Sequence, residues 1–183
     1  MRKLVVGVDL GGTKILAGIA DVNGTILEKK RVLTPAGADP DQVFDVIIEC
    51  ATELLKVYQV QEEEIEGIAI ATPGPLSFPE GVVRDSPNLG WEQVHFKEEL
   101  IRRTGQRIIV EKDTNMAVLG EYYFGRQRGC SDLLYITVST GIGGGIICSG
   151  EVYRGHLGGA GEFGHMVVEA GGAICNCGRS GCL

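Results

Sequence analysis

Twice in this 183-residue chain an apolar run breaks on glycine and resumes as a second apolar run. Leu4 to Leu10 meets Gly11-Gly12, Lys14 to Ala20 follows, Asn23-Gly24 turns, and Thr25 to Leu33 completes a three-strand meander. Leu133 to Val138 then meets Thr140 to Gly145, Ile146 to Cys148 follows, and Ser149-Gly150 turns again. The restart predicts two related sheets and therefore two domains, 1–125 and 126–183. A meander needs helices over its face, yet only about fifty residues follow the restart, so the second domain is expected to be no more than begun. The other reading is a single sheet lengthened by a second hairpin, and periodicity leaves it open.

Between the two meanders, Pro40 to Tyr58 carries Val43, Phe44, Ile47, Ile48, Ala51, Leu54 and Leu55, a 3.6-residue period that predicts an amphipathic helix capped by Asp39 or Asp41. Ile65 to Ala71 reads as a buried strand ended by Thr72-Pro73-Gly74-Pro75, and the turn-rich stretch to Gly90 as a long functional loop. Trp91 to Arg103 is expected as a helix, Arg107 to Glu111 as a strand, and Thr114 to Phe124 as a helix with Asp113 at its entrance. Gly125 to Ser131 reads as a connector.

Several partner classes drop out on charge and hydropathy. Acidic residues outnumber basic ones, 24 to 17, and no basic stripe carries interleaved aromatics, so nucleic acid is not expected as a partner. The opening apolar run is broken by Asp9, far short of the roughly 20 residues of a membrane helix, and shows no cleavage pattern. A cytoplasmic protein without a membrane partner is the expectation. The 28 glycines are about double the usual share of roughly 7%, so turns and close backbone approach matter here.

Four places carry chemistry. In Asp9-Leu10-Gly11-Gly12-Thr13-Lys14 a carboxylate at a strand end joins a two-glycine turn whose backbone N–H groups can approach an anion. Asp9 could hold a hydrated Mg2+, Thr13 could bond a phosphate oxygen, and Lys14 adds positive charge; an ordinary hairpin turn is the plain alternative. Ser139 to Gly145, with Thr140, Gly141, Gly143 and Gly144, is a second such loop and does not match the P-loop pattern. Two glycine loops on related sheets suggest a clamp around the phosphates of a nucleotide. Asp113, at a strand end and a helix start, is suited to accept a hydroxyl proton in phosphoryl transfer, or else simply caps the helix. Lastly, His165, Cys175, Cys177 and Cys182 crowd one imidazole and three thiols into eighteen glycine-punctuated residues, a donor set suited to closed, structural Zn2+. Buried or disulfide-bonded cysteines are the other reading. Cys50, Cys130 and Cys148 read as small apolar residues or free thiols.

Taken together, these segments, with Gly161-Glu162-Phe163-Gly164-His165, resemble the ROK family of sugar kinases and sugar-responsive repressors from end to end. The resemblance implies an α/β fold of the actin-like ATPase, ribonuclease-H-like kind, present here as an N-terminal domain plus the beginning of the second. It implies transfer of the γ-phosphoryl group of ATP to a hexose, with glucose to glucose 6-phosphate foremost, and an oligomeric protein. Asp113 matches the family's base, Asp9 and Gly11-Gly12-Thr13 its first phosphate motif, and Thr140 to Gly144 its second. Gly74, Asn88, Asp113, Glu162 and His165 match its sugar contacts. One ring nitrogen of His165 would bind zinc while the other faces a sugar hydroxyl.

Three departures stand out. Lys112 replaces the Asn usual in the glucokinases, which weakens the case for glucose specifically; separately, N-acetylmannosamine, N-acetylglucosamine, fructose or allose could replace glucose within the kinases, and polyphosphate could replace ATP. Ser139 replaces a common Gly. The chain also stops at Leu183, before a Glu and the adenosine-binding regions, so it is expected to turn over little by itself. A repressor of this family would carry an added DNA-binding segment, for which residues 1–3 leave no room on this reading; a noncatalytic sugar-binding relative would lack the base or the loops, and both are present.

Overall fold

A computed structural model describes residues 2–35, 37, 39–86, 89–139 and 141–183, with the side chain of Glu62 excepted. It divides into two compact units, Met1–Asp113 and Thr114–Leu183. The expected boundary lay twelve residues later, at 125. The helix between the two positions belongs with the second unit because Thr114 and Val118 press on glycines of that unit's sheet.

The first unit is built on a five-stranded sheet of β1 (Leu4–Leu10), β2 (Lys14–Asp21), β3 (Ile26–Leu33), β4 (Ile65–Thr72) and a later strand, β8 (Ile108–Lys112), in the order β3-β2-β1-β4-β8. The hairpin turns make β1, β2 and β3 antiparallel, whereas β1, β4 and β8 run parallel. Strand alternation sends Leu4, Val6, Val8 and Leu10 into the core and leaves Asp9 exposed on the opposite face. Helix α1 (Pro40–Val57) covers the core face with Val43, Phe44, Ile47, Cys50, Ala51 and Leu54. Asp39 is its cap: the carboxylate accepts from the N–H groups of Asp41 at 3.1 Å and Gln42 at 3.3 Å.

The long loop expected up to Gly90 is instead a small antiparallel sheet, β5 (Leu76–Ser77), β6 (Val82–Ser86) and β7 (Trp91–Val94). Trp91 therefore opens a strand, and helix α2 starts only at Phe96 and runs to Thr104. Packing decides this: the Trp91 ring lies 5.4 Å from Phe96 and 6.4 Å from Phe44, so an edge-anchored aromatic cluster outweighs the helical spacing of the local sequence.

The second unit contains most of α3 (Asp113–Phe124) and a sheet ordered β11-β10-β9, from β9 (Leu133–Val138), β10 (Ile142–Cys148) and β11 (Glu151–Val152). The restart is thus a separate sheet and not a lengthening of the first. Beyond it the chain is turns, with one short 3-10 segment at Phe163–His165 and isolated bridges Val167 to Cys182 and Ile174 to Ser180. Among the described residues no helix is long and apolar enough to cross a membrane.

Candidate functional site

Three of the residue groups singled out above stand at the carboxyl ends of three neighbouring parallel strands. Asp9 is paired with Ala71 near the end of β1, which runs into Gly11-Gly12; β4 ends at Thr72 and runs into Pro73-Gly74; Thr72 is paired with Lys112, which ends β8 and hands over to Asp113. Carboxyl ends of parallel strands are where open α/β sheets bind ligands, since loops leave there and side chains of successive strands converge.

The Asp9 to Lys14 turn is held from both sides of its apex. Gly11 N–H donates to Lys14 O at 2.9 Å, Thr34 N–H donates to Thr13 O at 3.1 Å, and Thr34 Oγ1 donates to Gly11 O at 2.6 Å. Among the described residues the amides of Gly12 and Thr13 reach no protein acceptor, and both residues are exposed with Lys14 beside them. A rigid turn with outward amides is a nest for anionic oxygen. Thr34 has no sequence signal, because it reaches the turn from the far end of β3.

Gly74 has φ +96, and a Cβ there would strike Asp85 O and come within 3.1 Å of Ser86 Cβ, so only glycine lets the β4 loop lie on β6. Ser86 is buried, its Oγ has no hydrogen-bond partner among the described residues, and its carbonyl accepts from Leu89 N–H at 2.9 Å and Gly90 N–H at 2.8 Å. Asn88 lies outside the described residues, as does Thr140. Asp113 is half-buried at the first position of α3, preceded by the buried pair Glu111 and Lys112; Glu111 Oε1 accepts from Lys112 N–H at 2.9 Å.

The second glycine run differs from expectation. Gly143 and Gly144 are not in a loop but inside strand β10, and their missing side chains make room for neighbours. A Cβ on Gly143 would lie 3.1 Å from Thr114 Cγ2, one on Gly144 would collide with the Phe163 ring, and one on Gly145 would collide with Thr114 O and sit 2.8 Å from Val118 Cγ1. Within this run Gly141 is open, with no described residue within 4 Å of its Cβ position, beside a Ser139 N–H that donates to Gly141 O at 2.9 Å. The Gly161 to His165 turn lies on the same strand: Cβ atoms on Gly161 and Gly164 would strike the carbonyl oxygens of Gly144 and Ile142. That contact orients Glu162, half-buried, and His165, exposed. Phe163, not singled out from sequence, is the wedge that holds the turn in place.

The thiol cluster forms. His165 Nδ1 lies 3.7 Å from Cys175 Sγ, Cys177 Sγ lies 3.7 Å from Cys182 Sγ, and the four donor atoms all lie within 4.8 Å of one another. All six cysteines are free thiols in this structure. Zinc bonded at about 2.3 Å to each of two tetrahedrally placed sulfurs would set them about 3.8 Å apart, so the donor set fits such an ion. The Arg179 backbone N–H, then the Cys175 thiol, holds Cys177 down to about 7, while burial and then Cys177 push Cys182 up to about 11. Adjacent thiols that resist joint ionisation are what a dication relieves. Nδ1 is the nitrogen turned to the sulfurs, which leaves Nε2 to a ligand outside the cluster.

The chain is similar to known proteins over nearly its whole length. The chain is 41% identical over 187 residues to a glucokinase of Thermotoga maritima and 40% identical over 179 residues to a glucokinase of Streptomyces coelicolor, covering 100% and 98% of this chain. It covers 57% and 54% of those proteins, so it spans about half the length of the relatives it matches. A crystal structure of a ROK family glucokinase from Streptomyces griseus in complex with glucose and AMPPNP superposes with a TM-score of 0.85 at 37% identity, over 98% of this chain and 55% of that one. A putative xylose repressor of a Caldicellulosiruptor species is 34% identical over 180 residues, 98% of this chain and 45% of its own length. The α/β architecture is therefore the actin-like one. With the ROK family pattern matching residues 5–183, nearly the whole of it, the chain belongs to the ROK family.

Proposed function

We propose that the protein containing this chain is an ATP-dependent hexose kinase, with glucose as its foremost acceptor and Asp113 as its general base. The observation that carries the reading is the convergence of Asp9 with its Gly11-Gly12 turn, Gly74, and Asp113 on the carboxyl ends of adjacent parallel strands β1, β4 and β8. Phosphoryl transfer needs little beyond positioning, charge stabilisation and a base for the attacking hydroxyl, and these residues are suited to each part.

In this reading the outward amides of Gly12 and Thr13, with Lys14, bind the transferring phosphate oxygens. Asp9 would hold a hydrated Mg2+, whose chemistry when bound is to neutralise charge on the phosphates. Asp113 accepts the hydroxyl proton. Gly74, Asn88, Glu162 and His165 bind and orient the hexose, and zinc on His165 Nδ1, Cys175, Cys177 and Cys182 would fix the imidazole ring and its tautomer. Thr140, Gly141, Gly143 and Gly144 fall to the second phosphate segment; of these, Gly141 is the open position and Gly143 and Gly144 serve packing.

Purified full-length protein, assayed with coupled detection of ADP against a panel of hexoses and with ATP or polyphosphate as donor, tests the activity. Asp113→Ala in that protein is expected to lose at least ~10²-fold in kcat/KM, the low end for a positioned base. A loss below tenfold removes Asp113 from the role. N-acetylmannosamine or N-acetylglucosamine turning over faster than glucose would move the substrate, and Lys112 is the first residue to examine in that event.

The 34% identity to a putative xylose repressor over 98% of this chain favours a second reading, a sugar-responsive repressor. It predicts sugar-dependent operator binding by the full-length protein in a gel shift and no hexose phosphorylation.

A further inference from the structure

The thiols that suit a metal include a pair whose sulfurs are in contact. Cys177 is exposed and Cys182 half-buried, with sulfurs 3.7 Å apart, whereas Cys175 is set against His165 Nδ1 at 3.7 Å. A disulfide needs its sulfurs at about 2.05 Å, so they must close by roughly 1.7 Å. The four-residue link between them includes Gly178 and Gly181, at φ +83 and φ +79.

We propose that Cys177 and Cys182 are a reversible oxidation site for peroxides, and that bridging them expels the metal and frees His165. Cys177 Sγ attacks one peroxide oxygen; the O–O bond breaks, hydroxide leaves and takes a proton to become water, and Cys177 becomes a sulfenic acid. Cys182 Sγ then attacks Cys177 Sγ, the S–S bond forms, and the S–O bond breaks to release a second hydroxide, also protonated. Two thiolates are oxidised by two electrons in all and one peroxide is reduced to two waters. Only Cys175 and His165 remain as donors, too few for a closed site. The imidazole loses its anchor, and a hexose loses an oriented partner. This last consequence rests on the metal and hexose roles proposed above.

The test uses zinc-loaded full-length protein, with its metal content measured before hydrogen peroxide is added. One equivalent of peroxide is expected to release the ion as two thiols disappear, with the fragment holding Cys177 and Cys182 lighter by two hydrogen atoms and hexose KM raised roughly tenfold, the scale of disturbed ligand support. A dithiol reductant plus zinc restores both, and the double variant Cys130→Ser/Cys148→Ser responds like the parent. An ion retained after peroxide, a bridge that includes Cys175, or Cys177 carried on to sulfinic acid overturns the proposal. Protein purified under reducing conditions without any bound metal overturns the metal reading instead, and disulfide mapping then still decides the pairing.

Discussion

The turn after β1 and the run in β10 look alike as sequence, each a strand meeting adjacent glycines, yet their glycines do different things. At Gly11-Gly12 the backbone faces outward and Thr34 braces it from behind. In β10 the faces of Gly143, Gly144 and Gly145 are filled by Thr114, Phe163 and Val118, so the run is a bed on which a helix and the Gly161 to His165 turn lie directly against backbone. A glycine thus reports close approach, and only the approaching partner tells whether that partner is a ligand or the protein itself.

The contrast can be broken or sharpened experimentally. Stripping the zinc proposed at His165, Cys175, Cys177 and Cys182 is expected to have the largest effect, since structural zinc contributes about 10–16 kcal/mol in small metal-folded peptides. Hydrogen exchange should show lost protection across 163–183 with β1 and β4 unchanged; equal loss in both units would erase the distinction. Gly145→Ala follows, with a Cβ driven into the Thr114 carbonyl and destabilisation of about 3 kcal/mol in urea unfolding. Thr34→Val removes the Oγ1 bond to Gly11 O and is expected to cost about 1 kcal/mol while raising KM for the nucleotide. Smallest is Gly141→Ala, within ~0.5 kcal/mol of the parent by the same unfolding measurement, because its Cβ meets nothing. A Gly141 effect as large as that of Gly145 would mean the two ends of the run are alike after all.

Much of the fold was legible where neighbours along the chain decide structure. The apolar run of β1 gave a strand ending at a glycine turn, the period of α1 gave its buried face, and its cap was narrowed to Asp39 or Asp41, of which the structure uses Asp39. The donor set His165, Cys175, Cys177 and Cys182 could be chosen from spacing and chemistry, because turns of a few residues bring such side chains together. Strands β5, β6 and β7 could not be read, being two, five and four residues long and too short to show a period. Thr34 and Phe163 could not be assigned their partners either, since they act on backbone from other segments.

The sequence by itself determined which residues carry donors, charge and conformational freedom, and the order in which strands and turns follow. Only the tertiary structure decided which glycines remain open to a ligand and which are filled by side chains of the same chain, and that the ends of β1, β4 and β8 meet. The reason is physical: hydrophobic periodicity and turn chemistry act through bonds and near neighbours, whereas steric occupancy at a Cα depends on atoms that arrive from anywhere in the chain.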